Sequence, residues 1–538
     1  MKRLQKLLWA ALGAALFLSV NLVLTFGIAA PVRSIPPEAI ETAIKTQGLG
    51  TPNSTKTATQ DSSFREEEVL RLLLAQSPEE VRFQQLAEGD RLYLQGQTEA
   101  AERIYRQAKP PFSEHASSGS GDSGDSAATA EAIVDPEQLS PAGRVFWREA
   151  RAGWEHEPRL ESRLFVSLEM LIEKHPEFLP GQLLYVEALQ EYDRKEEALE
   201  ILDRVAALYP DEPGLIKFQV QALEEQKEWL EASISARQFA VLYPDHEWAD
   251  EAERIADEDL KKFRGGMKRK LIGQAILSGA INIGDYLLTG NASGGIPTLQ
   301  LTLLLLQGEG SFGKQMSEAI KQQYQGNNAL VEDKEILDYI NSMGNKIANL
   351  MGRDEFEYEF NVVADKNLNA FALPGGKVFV NTGAILNTDS EAELAGLLGH
   401  EVAHAVLSHG YQRVAKGTLL SNLNRVIPYG DFLAELLSRR YSRQHERQSD
   451  ILGTRVLSGA NYAADGVRNL MMTLDDLYGD KAPPRWLSTH PPSSDRVEYL
   501  EDLIETAGYN RYAYEGVTKH AQIQNRIKQL VQDDSESG

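Results

Sequence analysis

The 538-residue sequence contains no cysteine. Disulfides, thiolate nucleophiles and cysteine-ligated metal sites are thereby excluded, and any metal must be held by His, Asp or Glu. Positive charge is in short supply: 55 Lys and Arg face 79 Asp and Glu, for a net charge of -24 and a pI near 5.0. That balance argues against a phosphate-binding surface and against adhesion to an anionic membrane face, so nucleic acid is not an expected partner. Long hydrophobic runs are also scarce, with one clear case. Lys2, Arg3 and Lys6 precede an uncharged apolar stretch over residues 7–30. A basic flank ahead of an apolar run reads as an export signal, which places the rest of the chain across the membrane. The run is 24 residues long. This exceeds the roughly 7 to 15 of a signal-peptide core and suffices to span a bilayer at about 20. Gly27-Ile28-Ala29 offers a small-residue cleavage site, so a cleaved signal peptide and a retained anchor both stay open.

Among the features that are present, length comes first. One core serves roughly 100 to 200 residues, so two or three folded units are expected. After a polar linker over 31–64, helical apolar spacing runs over 65–262. His175-Pro176, Tyr209-Pro210 and Tyr243-Pro244 stand 34 residues apart, and the last two units also match at Ala188/Ala222, Leu189/Leu223 and Ala198/Ala232. The pattern resembles tetratricopeptide repeats, in which small Ala lets paired helices approach and Pro closes each unit. Gly89 through Tyr105 resembles a further hairpin of this kind. A Ser/Gly/Asp/Ala tract over about 114–132 has almost no bulky apolar residue and reads as a flexible insertion. A repeat solenoid offers an extended groove for a partner protein or substrate; a rigid spacer is the plainer alternative. Over 263–329, Lys268-Arg269-Lys270 and the apolar runs that follow predict an amphipathic helical connector, with membrane-surface contact over 268–306 as the alternative.

The chemistry concentrates in 330–505. Ser390 and Glu393 form a capping-box pattern, and Leu394, Leu397, Leu398, Val402 and Val406 give a continuous apolar stripe, so a buried helix is expected. It carries His400-Glu401-Val402-Ala403-His404. Two imidazoles at i and i+4 share a helix face and a metal, while the Glu between them is turned toward a water at that metal. A catalytic zinc takes three protein ligands and keeps one position open. Downstream, Glu446 and Asp450 stand at i and i+4 on a second expected helix. Glu446 offers the third ligand, and Asp450 offers an acceptor for the other nitrogen of a ligating imidazole. His409 and His445 are read as non-ligands that point away from the shared faces.

Three segments taken together carry a family resemblance. Asn369-Ala370-Phe371-Ala372-Leu373-Pro374-Gly375-Gly376 with Val378-Phe379-Val380, then His400 to His404, then Ser442-Arg443 with Glu446 and Asp450, resemble the HtpX and BepA-type membrane-associated zinc peptidases. These are gluzincins related to the CAAX prenyl endopeptidases. The resemblance implies one zinc per chain on His400, His404 and Glu446, Glu401 as general base, and an extended strand over Lys377, Val378, Phe379 and Val380 lining the cleft, with Asn369 beside it. Pro374-Gly375-Gly376 agrees in reading as a turn, and a strand at a sheet edge can pair with a substrate backbone. The chain departs from the multi-span members in having one candidate span, and from the BepA type in placing its repeats ahead of the peptidase. By the same resemblance His490 matches a loop histidine that blocks the open metal position. An oxyanion-stabilising donor and an ordinary turn histidine are its other readings.

The expected architecture is mostly α: a tetratricopeptide-like solenoid, then an α+β gluzincin-type domain with a small sheet over 330–505, and a C-terminal helix and tail over 506–538. The expected function is a zinc endopeptidase, exported and periplasmic or extracytoplasmic, acting on unfolded or misassembled polypeptides. The alternative is an envelope chaperone or assembly scaffold with a gated or silent zinc site.

Overall fold

A computed structural model describes residues 77–112, 132–209, 212–278, 295–419, 426–428, 441–478, 486, 489–490 and 495–537. The export segment 7–30, the linker 31–64 and all but the last residue of the 114–132 tract lie outside the described residues, as do 279–294 of the region considered for membrane contact. Among the described residues, no helix is long and apolar enough to cross a membrane. The chain divides into two compact units, residues 1–84 and 85–538.

The molecule is mostly helical with a small sheet. Helices Glu161–Lys174, Lys195–Leu208 and Trp229–Leu242 start and end at the 34-residue interval, as do the intervening Leu179–Glu191 and Pro213–Glu225. The interval extends to the caps. His175, Tyr209 and Tyr243 each end a helix at φ near -139°, -128° and -129°, and each donates its N–H to the carbonyl four residues back. Asp193 and Lys227 both take the left-handed turn conformation, at φ 58° and 61°. Ala188, Ala198, Ala222 and Ala232 are buried, which lets neighbouring helices approach closely.

The border placed at 262/263 falls inside a continuous helix, Ala249–Ser278. No proline interrupts the chain there, and Gly265-Gly266 alone does not stop a helix held by packing at its N-terminal half, where Ala252 and Ala256 are fully buried. The earlier repeats keep a cluster of their own around Leu168, Leu189 and Leu202, but the last repeat helices share a core with the C-terminal part. One apolar cluster runs from Ile216, Val220 and Phe239 through Ile336 and Ile340 to Leu394, Leu397, Leu398 and Val402, and on to Ile523 and Ile527 of helix Val517–Ser537. Polar ties cross the same boundary: Gln238 Nε2 donates to Leu407 O at 2.8 Å, and Arg455 donates to Leu242 O at 2.6 Å and Val241 O at 2.7 Å.

The three-stranded sheet corrects one expectation. Strand Lys377–Asn381 lies in the middle, parallel to Glu359–Val363 and antiparallel to Ala370–Leu373. Both of its edges are therefore used, and Lys377, Val378, Phe379 and Val380 are all buried. Lys377 turns its ammonium back onto Glu357 O. Of the two edge strands, Glu359–Val363 takes a bridge from Leu330 at Val363, while Ala370–Leu373 has no further strand beside it among the described residues. Pro374-Gly375-Gly376 does form the turn between the two antiparallel strands, with Gly375 and Gly376 at φ 74° and 80°, values that favour glycine.

Candidate metal centre

Helix Glu391–Val406 is buried along its length, from Ala392 to Val406. Ser390 Oγ caps it by accepting Glu393 N–H at 3.1 Å, and Glu393 returns to Asp389 N–H at 2.8 Å, one residue before the usual capping-box partner. The helix crosses Arg443–Gly459 where Gly399 meets Gly453: a β-carbon on Gly453 would stand 3.1 Å from His400 N. That close backbone approach brings a carboxylate of one helix to the imidazoles of the other.

The donors of His400, His404 and Glu446 converge. His400 Nε2 and His404 Nε2 are 3.1 Å apart, Glu446 Oε2 is 3.6 Å from His400 Nε2, and Glu446 Oε1 is 3.5 Å from His404 Nε2. Ligands held about 2.0–2.1 Å from a tetrahedral zinc stand about 3.3 Å from one another, so this trio fits the ion. The three ligand side chains are buried, and Glu446 Oε2 makes no hydrogen bond, its charged neighbour being the Arg496 guanidinium at 3.2 Å. His490 joins the same cluster, its Nδ1 2.9 Å from Glu446 Oε1 and 3.2 Å from His400 Nε2.

Behind each ligand stands a partner. His400 Nδ1 lies 2.9 Å from Asp450 Oδ1, as expected from the i, i+4 pair. Asp450 in turn is held by Arg496, at 2.9 and 2.7 Å, and by the Tyr499 hydroxyl. Burial pushes Asp450 upward, but the Arg496 charge and the His400 contact outweigh it and hold the carboxyl well below its ordinary range. Glu446 is likewise pushed up by burial and brought down overall by His490, Arg496 and His400; Arg496 Nη1 lies 3.2 Å from its Oε2. Burial first, then the surrounding imidazoles, drives His404 well below its ordinary value, which keeps that ring neutral.

His409 and His445 are not among the converging donors, yet they do not point away. His409 Nδ1 is 2.9 Å from His404 Nδ1, and the His445 ring stacks on His409 at 4.1 Å. Counting five residues along an ideal helix fails because the helix ends at Leu407, Ser408 takes φ 60°, and a new helix starts at His409. The reversal folds His409 back against the ligand it follows.

Glu401 is engaged on both oxygens. Oε1 accepts the Trp486 indole N–H at 2.9 Å and lies 3.5 Å from His490 Nε2; Oε2 accepts Ala372 N–H at 3.2 Å. Trp486 is fully buried and stacks on His490 at 4.5 Å and 18°. Tyr441 stacks on His404 at 3.9 Å and donates its backbone N–H to Thr489 O at 3.0 Å. Sequence reasoning missed Trp486, Tyr441, Arg496, Tyr499 and Gln448. Trp486 carried a usable signal, since it stands four residues before His490, the spacing of one helical turn, and His490 N–H does bond Trp486 O at 2.8 Å. The others reach the site across tertiary contacts with no local pattern. Of the expected substrate-binding set, Asn369 is buried with its carbonyl bonded to Asn381 N–H at 3.0 Å, and Lys377 to Val380 are in the covered central strand; Ala372 of the open-edge strand is what touches the site.

Comparison with known proteins places the same region in one family. Residues 337–504 match the family model "Peptidase family M48". The chain is similar to the mitochondrial metalloendopeptidase OMA1 of Homo sapiens, at 35% identity over 181 residues, covering 29% of this chain and 34% of that protein. It is similar to the mitochondrial metalloendopeptidase OMA1 of Schizosaccharomyces pombe, at 29% over 183 residues, covering 32% and 54%. It is also similar to the beta-barrel assembly-enhancing protease of Escherichia coli K12, at 25% over 203 residues, covering 34% and 42%. The chain thus spans about a third to a half of the length of these relatives.

Proposed function

We propose, from the peptidase family M48 domain that residues 337–504 form, that this chain is a zinc-dependent endopeptidase. The observation that carries the reading is the buried meeting of His400, His404 and Glu446 with Glu401 beside them. His400, His404 and Glu446 would hold the ion, with Asp450 orienting His400. Zinc bound there supplies Lewis acidity, polarising the scissile carbonyl and acidifying water. Glu401 takes the proton from the attacking water and returns it to the leaving amine. Ala370–Leu373 presents the sheet's open edge next to Glu401, so a substrate segment pairing there would lay its backbone across the base.

In this arrangement Trp486 and His490 occupy the Glu401 oxygen and the approach to the ligands. This favours a gated site, and it also gives weight to the second reading, an envelope chaperone or scaffold whose zinc site stays silent. The repeats expected over 65–262 are assigned to tetratricopeptide-like binding of substrate or a partner protein. The export-type N-terminus and a relative named for enhancing beta-barrel assembly support unfolded or misassembled envelope proteins as substrates, with the chain periplasmic or anchored by 7–30.

Glu401→Gln is expected to retain zinc and lose casein hydrolysis. Replacing His490 by Ala separates its roles: turnover rises if His490 plugs the site and falls if it stabilises the oxyanion. A wild-type chain and a His490→Ala chain that both bind zinc without cleaving any unfolded protein would favour the scaffold reading.

A further inference from the structure

We infer that His409 and Gln448 are positioning residues that fix His404 in the tautomer able to bind a cation. The inference rests on the zinc reading above and adds the device that makes one ligand competent.

The two ligating histidines have different supports. His400 Nδ1 faces a carboxylate, Asp450, whose oxygens only accept, so its proton is forced onto Nδ1 and the lone pair onto Nε2. Among the described residues, His404 Nδ1 faces no carboxylate. Its neighbour at 2.9 Å is another imidazole nitrogen, His409 Nδ1, and such a contact fixes nothing by itself because either ring can donate. The choice passes one residue outward. His409 Nε2 lies 3.0 Å from Gln448 Oε1, an oxygen that can only accept. His409 therefore carries its proton on Nε2 and accepts at Nδ1. His404 must then donate from Nδ1, which leaves the Nε2 lone pair facing His400 Nε2 at 3.1 Å and Glu446 Oε1 at 3.5 Å.

Reversing the Gln448 amide reverses every step. Its NH2 would donate to His409 Nε2, His409 Nδ1 would donate to His404, and a proton would sit on His404 Nε2 in the middle of the donor cluster. Only one direction of the relay leaves a site for a cation. His404, His409, Gln448 and Ser449 are all buried, so water cannot substitute for a missing link. Ser449 Oγ lies 3.5 Å from His409 Nδ1 and His445 stacks on its ring at 4.1 Å, which restrains the plane of the imidazole. In the assigned direction the buried Gln448 Nε2 has no hydrogen-bond partner among the described residues, a cost that the reversed amide would relieve and that a bound cation has to offset. One helix, Arg443–Gly459, thereby supplies the third ligand and the terminal acceptor behind each of the other two.

The test uses the full chain, stripped of metal, and measures zinc affinity by competition with a chromophoric chelator, alongside the melting temperature of the metal-free protein. Wild type is expected to bind one zinc. His409→Phe and Gln448→Met, which keep volume and remove the relay, should weaken zinc 10- to 100-fold, the usual effect of removing a ligand's outer partner, with metal-free melting within a few degrees of wild type. Because the two residues act in series, the double variant should be no weaker than His409→Phe alone. Gln448→Glu, which keeps an accepting oxygen, should restore affinity to within a few-fold. Unchanged zinc affinity in both single variants, or a lowered metal-free melting temperature with affinity intact, overturns the relay while leaving the zinc reading standing. A wild-type chain that takes up no zinc overturns both.

Discussion

Asp450 is fully buried between a guanidinium, a phenol and an imidazole, and the guanidinium decides its charge. Arg496 keeps it ionised, so it can hold His400 by a charge-assisted contact. Asp450→Asn preserves the shape and removes the charge. Zinc affinity should then fall about 10- to 100-fold by chelator competition, and unchanged affinity would refute the orienting role. At this scale the sequence revealed those residues whose partners lie four positions away on one helix: His400 with His404, and Glu446 with Asp450. Arg496 and Gln448 were invisible because their partners are set by helix crossings, and His409 was misplaced because Ser408 at φ 60° breaks the angular count.

Among the elements, helix Glu391–Val406 was legible in full, since its cap, its apolar stripe and its motif agree with one another. Strand Lys377–Asn381 was legible as a strand and misread as an edge. Alternation along a strand reports side-chain direction; whether its neighbours are present depends on pairing with Glu359–Val363, which no local pattern records. The C-terminal helix Val517–Ser537 was expected outside the peptidase domain, yet it carries Ile523 and Ile527 into the core and His520 to the loop before the metal-bearing helix. His520 Nδ1 meets the Tyr339 hydroxyl at 2.9 Å and Nε2 lies 2.9 Å from Thr388 O. Burial pushes its imidazole down to about 4 from an ordinary 6.5. The unfolded chain therefore takes up this proton first, so the contribution to stability is complete above pH 6.5 and is lost as pH falls toward 4. Between pH 7 and pH 4, wild type should lose about 3 kcal/mol more unfolding free energy than His520→Gln in urea titrations. Parallel pH profiles for the two proteins would remove His520 as the cause.

For the whole molecule, the linear order of repeats and peptidase conceals a shared interior. Lys109, the residue that ends helix Thr98–Ala108, buries its ammonium against Asp465 at 2.6 Å, Glu515 at 2.5 Å and Arg511 O at 2.7 Å. Glu515 accepts the hydroxyl of Ser390, the cap of the metal-bearing helix. A fragment of residues 330–538 would leave those carboxylates without their lysine and uncover the core faces that meet Ile216 and Phe239. It should show no cooperative thermal transition where the full chain shows one; a fragment that melts cooperatively near the full-chain temperature would make the shared core unimportant. The central claim is that three buried ligands and one carboxylate base make a zinc endopeptidase, and its most direct test is zinc content and casein cleavage measured together on wild type and Glu401→Gln. One zinc is expected in each protein, with a rate about 10²- to 10⁴-fold lower in the variant. Equal cleavage by both would contradict the claim.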